Sequence, residues 1–539
     1  MRFIAAVTAL STATLAFSPA LAADWHRAES EHFIVYSQDS ESNTREFVED
    51  LERLDEVLSV FTGVGGDAAL PESSKLTVFR YGEPDDMSAL LAGRRDTGIA
   101  GFFMPRATGS VAFVPRQVQR RRGRSRSNDV AREMQADPRG VLFHEYVHYF
   151  MYQHRDAPYP LWYSEGFAEL FANVEFNEDD FLIGEVPGTR SAGLTTVPID
   201  LPKTFDPQPG PDRNYVARTY AHGWLIASHL NLNPERRGQM GAYMQAIANG
   251  ASRMEAAEQA FGDLEVLRRE LEEFRQGAAR TLRVPYAVAA EPEVDVRALT
   301  PAEEARIMLM IRSKAGVDED QARRLVSDAR GLVAQYPNDF AVLLAATEAE
   351  FDARNYDEAE ALARRAMALD PQSSEAANYY ADVALRRSFA DPAQLPEARR
   401  RFAAANQLEN DHAYPLYGYY LTYLLDDEAG EPEEAKVALE AAFRYAAYDA
   451  GVRQALVYML LDENRVADAR VVGAQWVDGR GEYQCVVRKK FDEFEAGTRE
   501  PLLEEFRPDH PGEYLDEAAR EARTEEFEAE VEQYGCTDA

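Results

Sequence analysis

The sequence predicts an α+β unit over residues 23–283 and an all-α array of helix pairs over residues 298–480. Three observations carry that reading. Short alternating apolar runs flank one long helical period before Arg116, the pattern of strands packed on helices. The run HEYVHYFMYQHRDAPYPLWYSEGFAE, His144 to Glu169, then places three histidines and several acids on what reads as two consecutive helices. Farther on, alanines seven residues apart recur as Ala359 and Ala366, Ala398 and Ala405, Ala435 and Ala442, with first members 39 and then 37 residues apart. A chain of 539 residues has room for two or three such units. Its net charge of −35 repels phosphate backbones and anionic lipid, which excludes nucleic acid as a partner.

The elements follow in order. The opening MRFIAAVTALSTATLAFSPALA has a positive start at Arg2, an apolar stretch from Phe3 to Phe17 and a small-residue cleavage site at Ala20-Leu21-Ala22. Residues 1–22 are therefore expected to be a removed export signal, too short in its apolar part to span a bilayer. The mature chain is expected in the periplasm or outside the cell, without a stable membrane anchor. Glu31 to Ser37, Lys75 to Tyr81 and Gly109 to Arg116 alternate as strands, and Thr44 to Phe61 has helical spacing. Arg116 to Arg132 is a basic island that reads as a solvated loop, a rim for acidic substrate segments, or a processing site. Asp137-Pro138 caps and starts a helix, and Asp156 to Pro160 breaks it before a second one opens at Leu161.

Residues 284–297, with two prolines and no helical period, read as a linker. After it the spaced alanines fall in the second helix of each pair, where small side chains let neighbours approach, and a near-constant period indicates a stacked solenoid. Residues 481–539 read as an acidic tail, partly helical from Glu513 to Tyr534. The chain's two cysteines, Cys485 and Cys536, would pair in an oxidising compartment and tie that tail down.

The chemistry lies in the His144 to Glu169 run. Residues four apart on a helix face the same way, so His144 and His148 can ligate one zinc ion with Glu145 beside them. Two residues compete to complete the set. His154 has the spacing of a third histidine, but the position where a glycine would have to turn the chain is Met151. The helix should run on and carry His154 about 9 Å along its axis from His148. Glu165, on the second helix with Gly166 permitting close approach, is the better completion. Three protein ligands and one open position describe a catalytic zinc rather than a structural one. Glu169, one turn on, reads as an acceptor that orients a ligand histidine, as a solvated glutamate, or as a substitute ligand.

HEYVH followed by LWYSEGFAE resembles the gluzincin metallopeptidases, especially peptidase-MA-like proteins and zinc aminopeptidases. Trp162, Glu165, Gly166 and Ala168 match a W-x-x-E-G-x-A segment, although the spacing from His148 to Glu165 is two residues shorter than is common there. The resemblance implies a zincin-like catalytic fold, Zn²⁺ on His144, His148 and Glu165, and Glu145 as general base. It also implies an oxyanion donor from a Y-x-K-G segment, carried to Tyr220 with Gly223, while His222 stands where the lysine would be. Tyr215 is a rival for that role. The hairpin around Gly98 to Arg116 resembles the substrate-binding edge of such folds but lacks an aminopeptidase G-x-M-E-N segment, which favours endopeptidase action. The later helix pairs resemble tetratricopeptide repeats, most clearly from Phe340 to Pro371.

The expectation is an exported zinc metallopeptidase acting on a peptide or protein, with a protein partner on the repeats. The alternative is a catalytically silent peptide- or protein-binding scaffold that uses the helical repeats.

Overall fold

The structure, a computed structural model, describes residues 25–64, 72–93, 101–116, 138–154, 159–177, 179–207, 212–277, 281–286, 291–477, 481–508 and 517–537. The expected signal at 1–22, almost all of the basic island and Asp137 lie outside them. Among the described residues there are nine strands: β1 (His26–Glu29), β2 (Phe33–Ser37), β3 (Leu76–Arg80), β4 (Phe102–Met104), β5 (Val111–Val114), β6 (Glu175–Phe176), β7 (Asp180–Ile183), β8 (Leu282–Pro285) and β9 (Asp295–Ala298). Six form one sheet in the order β4-β5-β3-β2-β1-β9, with β2, β3 and β5 parallel and β4 antiparallel at one edge. β6, β7 and β8 make a smaller antiparallel sheet.

All five residues of the central strand β2 are buried, because both faces of the sheet are covered. On one face lie α1 (Glu41–Thr62) and α3 (Pro138–His154), with α2 (Pro84–Ala92) between them in sequence. Ser40 caps α1 by accepting from the Asn43 amide, and Gly63 ends it at a φ of 65°. Phe47, Leu51, Leu54 and Leu58 of α1 enter the main core with Leu142, Phe143 and Val147 of α3. On the other face Tyr36, Phe79, Phe113 and Phe102 stack in a row with ring centroids 4.6–5.5 Å apart. Met87 of α2 covers that row together with Ile307 and Ile311. The last two belong to the first repeat helix, so the repeats are packed directly onto the sheet.

α4 (Leu161–Ala172) stops at Asn173, and the sequence beyond it turns into strand β6. A π-helical turn over Arg218–His222 leads into α5 (Gly223–Leu232). The segment read as a linker, 284–297, is not a free connection. At one end β8 pairs with β7, and at the other β9 pairs with β1 and extends the large sheet. Its valines sit in runs too short to display a period, and the prolines hid them.

The array then proceeds through α6 (Pro301–Lys314), α7 (Glu319–Gln335), α8 (Phe340–Asp352), α9 (Tyr356–Leu369), α10 (Ser374–Ser388), α11 (Leu395–Leu408), α12 (Ala413–Leu424), α13 (Glu433–Tyr445), α14 (Ala450–Asp462) and α15 (Val466–Val472). These are stacked helix pairs. All six spaced alanines lie in second helices and are fully buried. The expected acidic tail begins as two more packed helices, α16 (Glu482–Glu495) and α17 (Glu500–Phe506). Val487, Phe491, Phe494, Leu502 and Phe506 complete the core of the last repeats. α18 (Glu517–Gln533) follows, and Cys485 is bonded to Cys536 just beyond it. No helix among the described residues is long and apolar enough to cross a membrane.

Candidate metal centre

α3 is fixed in rotation by its buried side. Leu142, Phe143, Val147 and Phe150 enter the core, and the Tyr146 hydroxyl donates to Asp55 of α1 at 2.5 Å. That leaves His144 and His148 facing α4. The helix continues through Met151, so His154 ends it with its ring against Phe150 at 4.4 Å. The backbone of α4 touches that of α5 where two glycines meet. A Cβ on Gly166 would stand 2.2 Å from the Gly223 carbonyl group, and one on Gly223 would stand 2.4 Å from the Trp162 oxygen. Any side chain at either position would force the helices apart and move Glu165 with α4. The π turn directly before Gly223 carries Tyr220, a local widening of the kind that recurs at functional sites.

These constraints bring three donor atoms together. His144 Nε2 lies 3.1 Å from His148 Nε2 and 3.2 Å from Glu165 Oε2, and His148 Nε2 lies 3.5 Å from the same oxygen. Donors held at about 2.0–2.1 Å from a tetrahedral zinc stand about 3.3 Å from one another, so the set fits that ion. The opposite nitrogen of each ring is engaged too. His148 Nδ1 is 3.1 Å from the Ser164 hydroxyl, and His144 Nδ1 is 3.5 Å from Glu169 Oε1. With an ion bound, the proton of each ring would sit on Nδ1 and the Nε2 lone pair would face the shared point. His144, His148 and Glu165 are the one such group of potential metal ligands among the described residues.

Electrostatics follow from this crowding. Burial opposes ionisation of Glu165, but hydrogen bonds from both histidines outweigh it and bring its pKa down to about 2. Burial also opposes charge on His144, yet the Glu165 hydrogen bond, with the Glu169 and Glu145 carboxylates behind it, holds the ring above its ordinary value. The Tyr220 ring lies 6.5 Å from that of His144. Burial, then the field of Glu165, push its hydroxyl up to about 12, so it stays a donor at neutral pH. Arg190 joins these groups: it donates to Glu169 Oε1 at 2.6 and 2.9 Å and its guanidinium covers the Tyr220 ring at 4.5 Å.

Glu145 occupies a different face of α3. Val141, Glu145 and Tyr149 are successive turns of one stripe. Val141 underlies Gly101, where a Cβ would meet it at 3.6 Å, and Tyr149 meets Phe103 of β4 edge-to-face at 5.6 Å. Glu145 therefore lies between two contacts with the sheet edge, beside the donor triangle.

The residues singled out from the motif thus lie together, with two refinements. Glu169 is buried, 4 % exposed, and paired with Arg190, which removes the solvated-glutamate reading and leaves Glu165 as the carboxylate at the triangle. Tyr215 lies with Phe205 and Arg253, whereas Tyr220 stands beside His144. His222 is wholly buried, its Nε2 3.2 Å from the Val197 carbonyl, and burial brings its pKa down to about 4. Sequence reasoning missed Ser164 and Arg190. Ser164 adjoins Glu165 on the same helix, whereas Arg190 ends a short 3₁₀ turn, Gly188–Arg190, with no motif around it.

No family model matches the chain, and no curated protein does. Among solved structures, a chain described as "Functional Characterization of Pseudomonas Aeruginosa pilF" is similar over 42% of this chain and 100% of its own, at 16% identity. Its TM-score of 0.30 is too low for the likeness to carry further argument.

Proposed function

We propose that the N-terminal unit is a zinc-dependent peptidase, with His144, His148 and Glu165 holding the ion. The observation that carries this reading is the donor triangle, with edges of 3.1–3.5 Å, His148 Nδ1 hydrogen-bonded to the Ser164 hydroxyl and His144 Nδ1 facing the Glu169 carboxylate. Bound zinc would supply a water acidified toward neutrality and a Lewis acid for the scissile carbonyl. Glu145 takes a proton from the attacking water and returns it to the leaving amine. Tyr220, protonated at neutral pH, donates to the oxyanion, an interaction of about 3 kcal/mol in comparable sites. Strand β4, the edge of the large sheet among the described residues, takes the backbone of an extended peptide beside Glu145. Glu169 and Arg190 hold the His144 ring and Tyr220 in place.

A second reading is favoured by a separate observation. The packed helix pairs from α6 to α17 make up about two-fifths of the chain, and arrays of this kind serve as protein-binding scaffolds. A scaffold whose first half does no chemistry would need no working Glu145. Metal content per purified chain tests the first reading at its base. About one zinc per chain is expected in the unaltered protein and in Glu145→Gln, and less than about a tenth of that in His148→Ala and Glu165→Ala. Full zinc in Glu165→Ala would contradict the assigned ligand set.

A further inference from the structure

The repeats do more than follow the N-terminal unit. Their first helices receive a piece of it. The turn between β4 and β5, residues 105–110, is closed by the Gly109 amide donating to the Arg106 carbonyl at 3.0 Å, with Gly109 at a φ of 122°. Ala107 at its tip is 4 % exposed and belongs to the hydrophobic core of the repeats rather than to that of the sheet. Its amide donates to Asp449 Oδ2 at 2.7 Å. Asp449 is also the N-cap of α14, its other oxygen accepting from the Val452 amide at 2.9 Å. His412, which precedes α12 and lies 3.1 Å from Asn378 of α10, faces the Ala107 backbone from the other side.

Two flanking contacts widen the grip. Glu409 reaches Ser73, just before β3, and holds Ser374 of α10 at 2.7 Å. Tyr448 stacks obliquely on Tyr149 of α3 at 4.7 Å. Tyr149 in turn meets Phe103 of β4, on the stripe that carries Glu145.

We propose that the face formed by the first helices of the repeats is an internal receptor for the 105–110 turn, and that this clasp sets the position of edge strand β4 beside the candidate metal centre. The recognised chemistry is a small residue whose amide meets a carboxylate and whose backbone meets an imidazole. That is a short chain segment read through its main chain, here supplied by the protein itself. The turn follows β4 directly, with Ala107 three residues beyond Met104, so its release would let β4 drift from α3. The link to substrate rests on the peptidase reading, whereas the clasp itself does not.

Hydrogen–deuterium exchange of the full zinc-loaded chain tests it with two variants that attack the contact from opposite sides. Asp449→Ser keeps a capping oxygen for α14 but withdraws the carboxylate from Ala107. Ala107→Asp sets a like charge against Asp449 while leaving every repeat residue unaltered. Amides in 101–116 should exchange about tenfold faster or more in both variants, with 138–154 and 450–462 within about twofold of the unaltered protein. Unchanged exchange at 101–116 in both variants overturns the clasp, as does equal loosening of 450–462. On a cleaved peptide, KM should rise about tenfold in both while kcat stays within about twofold. A fall in kcat alone overturns the coupling to the substrate edge. Absence of turnover in the unaltered protein counts against the peptidase reading and leaves the exchange result standing.

Discussion

Replacing Gly166 by alanine tests whether the contact of α4 with α5 builds the site. The new Cβ would lie 2.2 Å from the carbonyl carbon and oxygen of Gly223 and 2.8 Å from the Trp224 nitrogen, all backbone atoms that cannot swing away. Ordinary carbon contacts sit at about 3.5 Å, so the helices must part by about 1 Å. Overpacking of this kind costs about 1–3 kcal/mol, and a clash with backbone belongs at the upper end. Alanine returns about 1 kcal/mol of helix propensity, leaving a net loss of about 2 kcal/mol. Glu165 rides on α4 and would move with it, so zinc affinity should fall by about tenfold or more. Urea denaturation of the zinc-free chain and competition titration with a chelator measure the two effects. Gly223→Ala, whose Cβ would lie 2.4 Å from the Trp162 oxygen, attacks the same contact. Once one alanine has parted the helices the second should cost less, so the double variant should be milder than the sum by about 1 kcal/mol. Wild-type stability and zinc affinity in Gly166→Ala, or strict additivity of the pair, would refute the reasoning.

Two further outcomes follow from buried pairs elsewhere. His32 Nδ1 donates to Glu52 Oε2 at 2.7 Å; burial opposes its charge, but this bond and the Asp55 carboxylate push its pKa up to about 9. Its stabilisation is complete below the ordinary histidine pKa near 6.5 and is lost as pH rises through about 9. Thermal melts from pH 6 to pH 10 should show about 2 kcal/mol of that loss in the unaltered protein and little in His32→Gln, and parallel curves would contradict it. The Cys485–Cys536 bond spans 51 residues, and closing a loop of that length contributes up to about 4 kcal/mol. Reduction, or Cys536→Ser, should expose 517–537 to proteolysis first while the helices at 41–62 and 138–154 stay resistant; uniform resistance would show that α18 is held without it.

Much of this architecture is legible in local pattern. The strands at 33–37, 76–80 and 111–114 show as alternation because the core faces demand it, and the repeat alanines show because helix contacts there admit nothing larger. β8 and β9 were hidden by prolines and by runs of four residues. α16 and α17 were hidden by acidic outer faces that masked Phe491, Phe494 and Phe506. At the candidate centre, helical spacing groups His144 with His148, and Gly166 next to Glu165 signals a close approach. Arg190 and the burial of Glu169 depend on the Gly188–Arg190 turn meeting α4, which no short-range spacing encodes. The Ala107–Asp449 contact is beyond sequence reading for the same reason: it joins residues 342 apart, and Asp449 by itself reads as a helix cap.

The peptidase reading is tested most directly by a digest of a diverse peptide mixture by the zinc-loaded chain, with Glu145→Gln as its blank and products read by mass spectrometry. The account predicts fragments from the unaltered protein alone, reduced by about 10²-fold or more in the variant although its zinc content is unchanged. Equal fragments from both would remove Glu145 from the chemistry. No fragments from either, with the chain folded and one zinc bound, would contradict the peptidase reading and favour the scaffold.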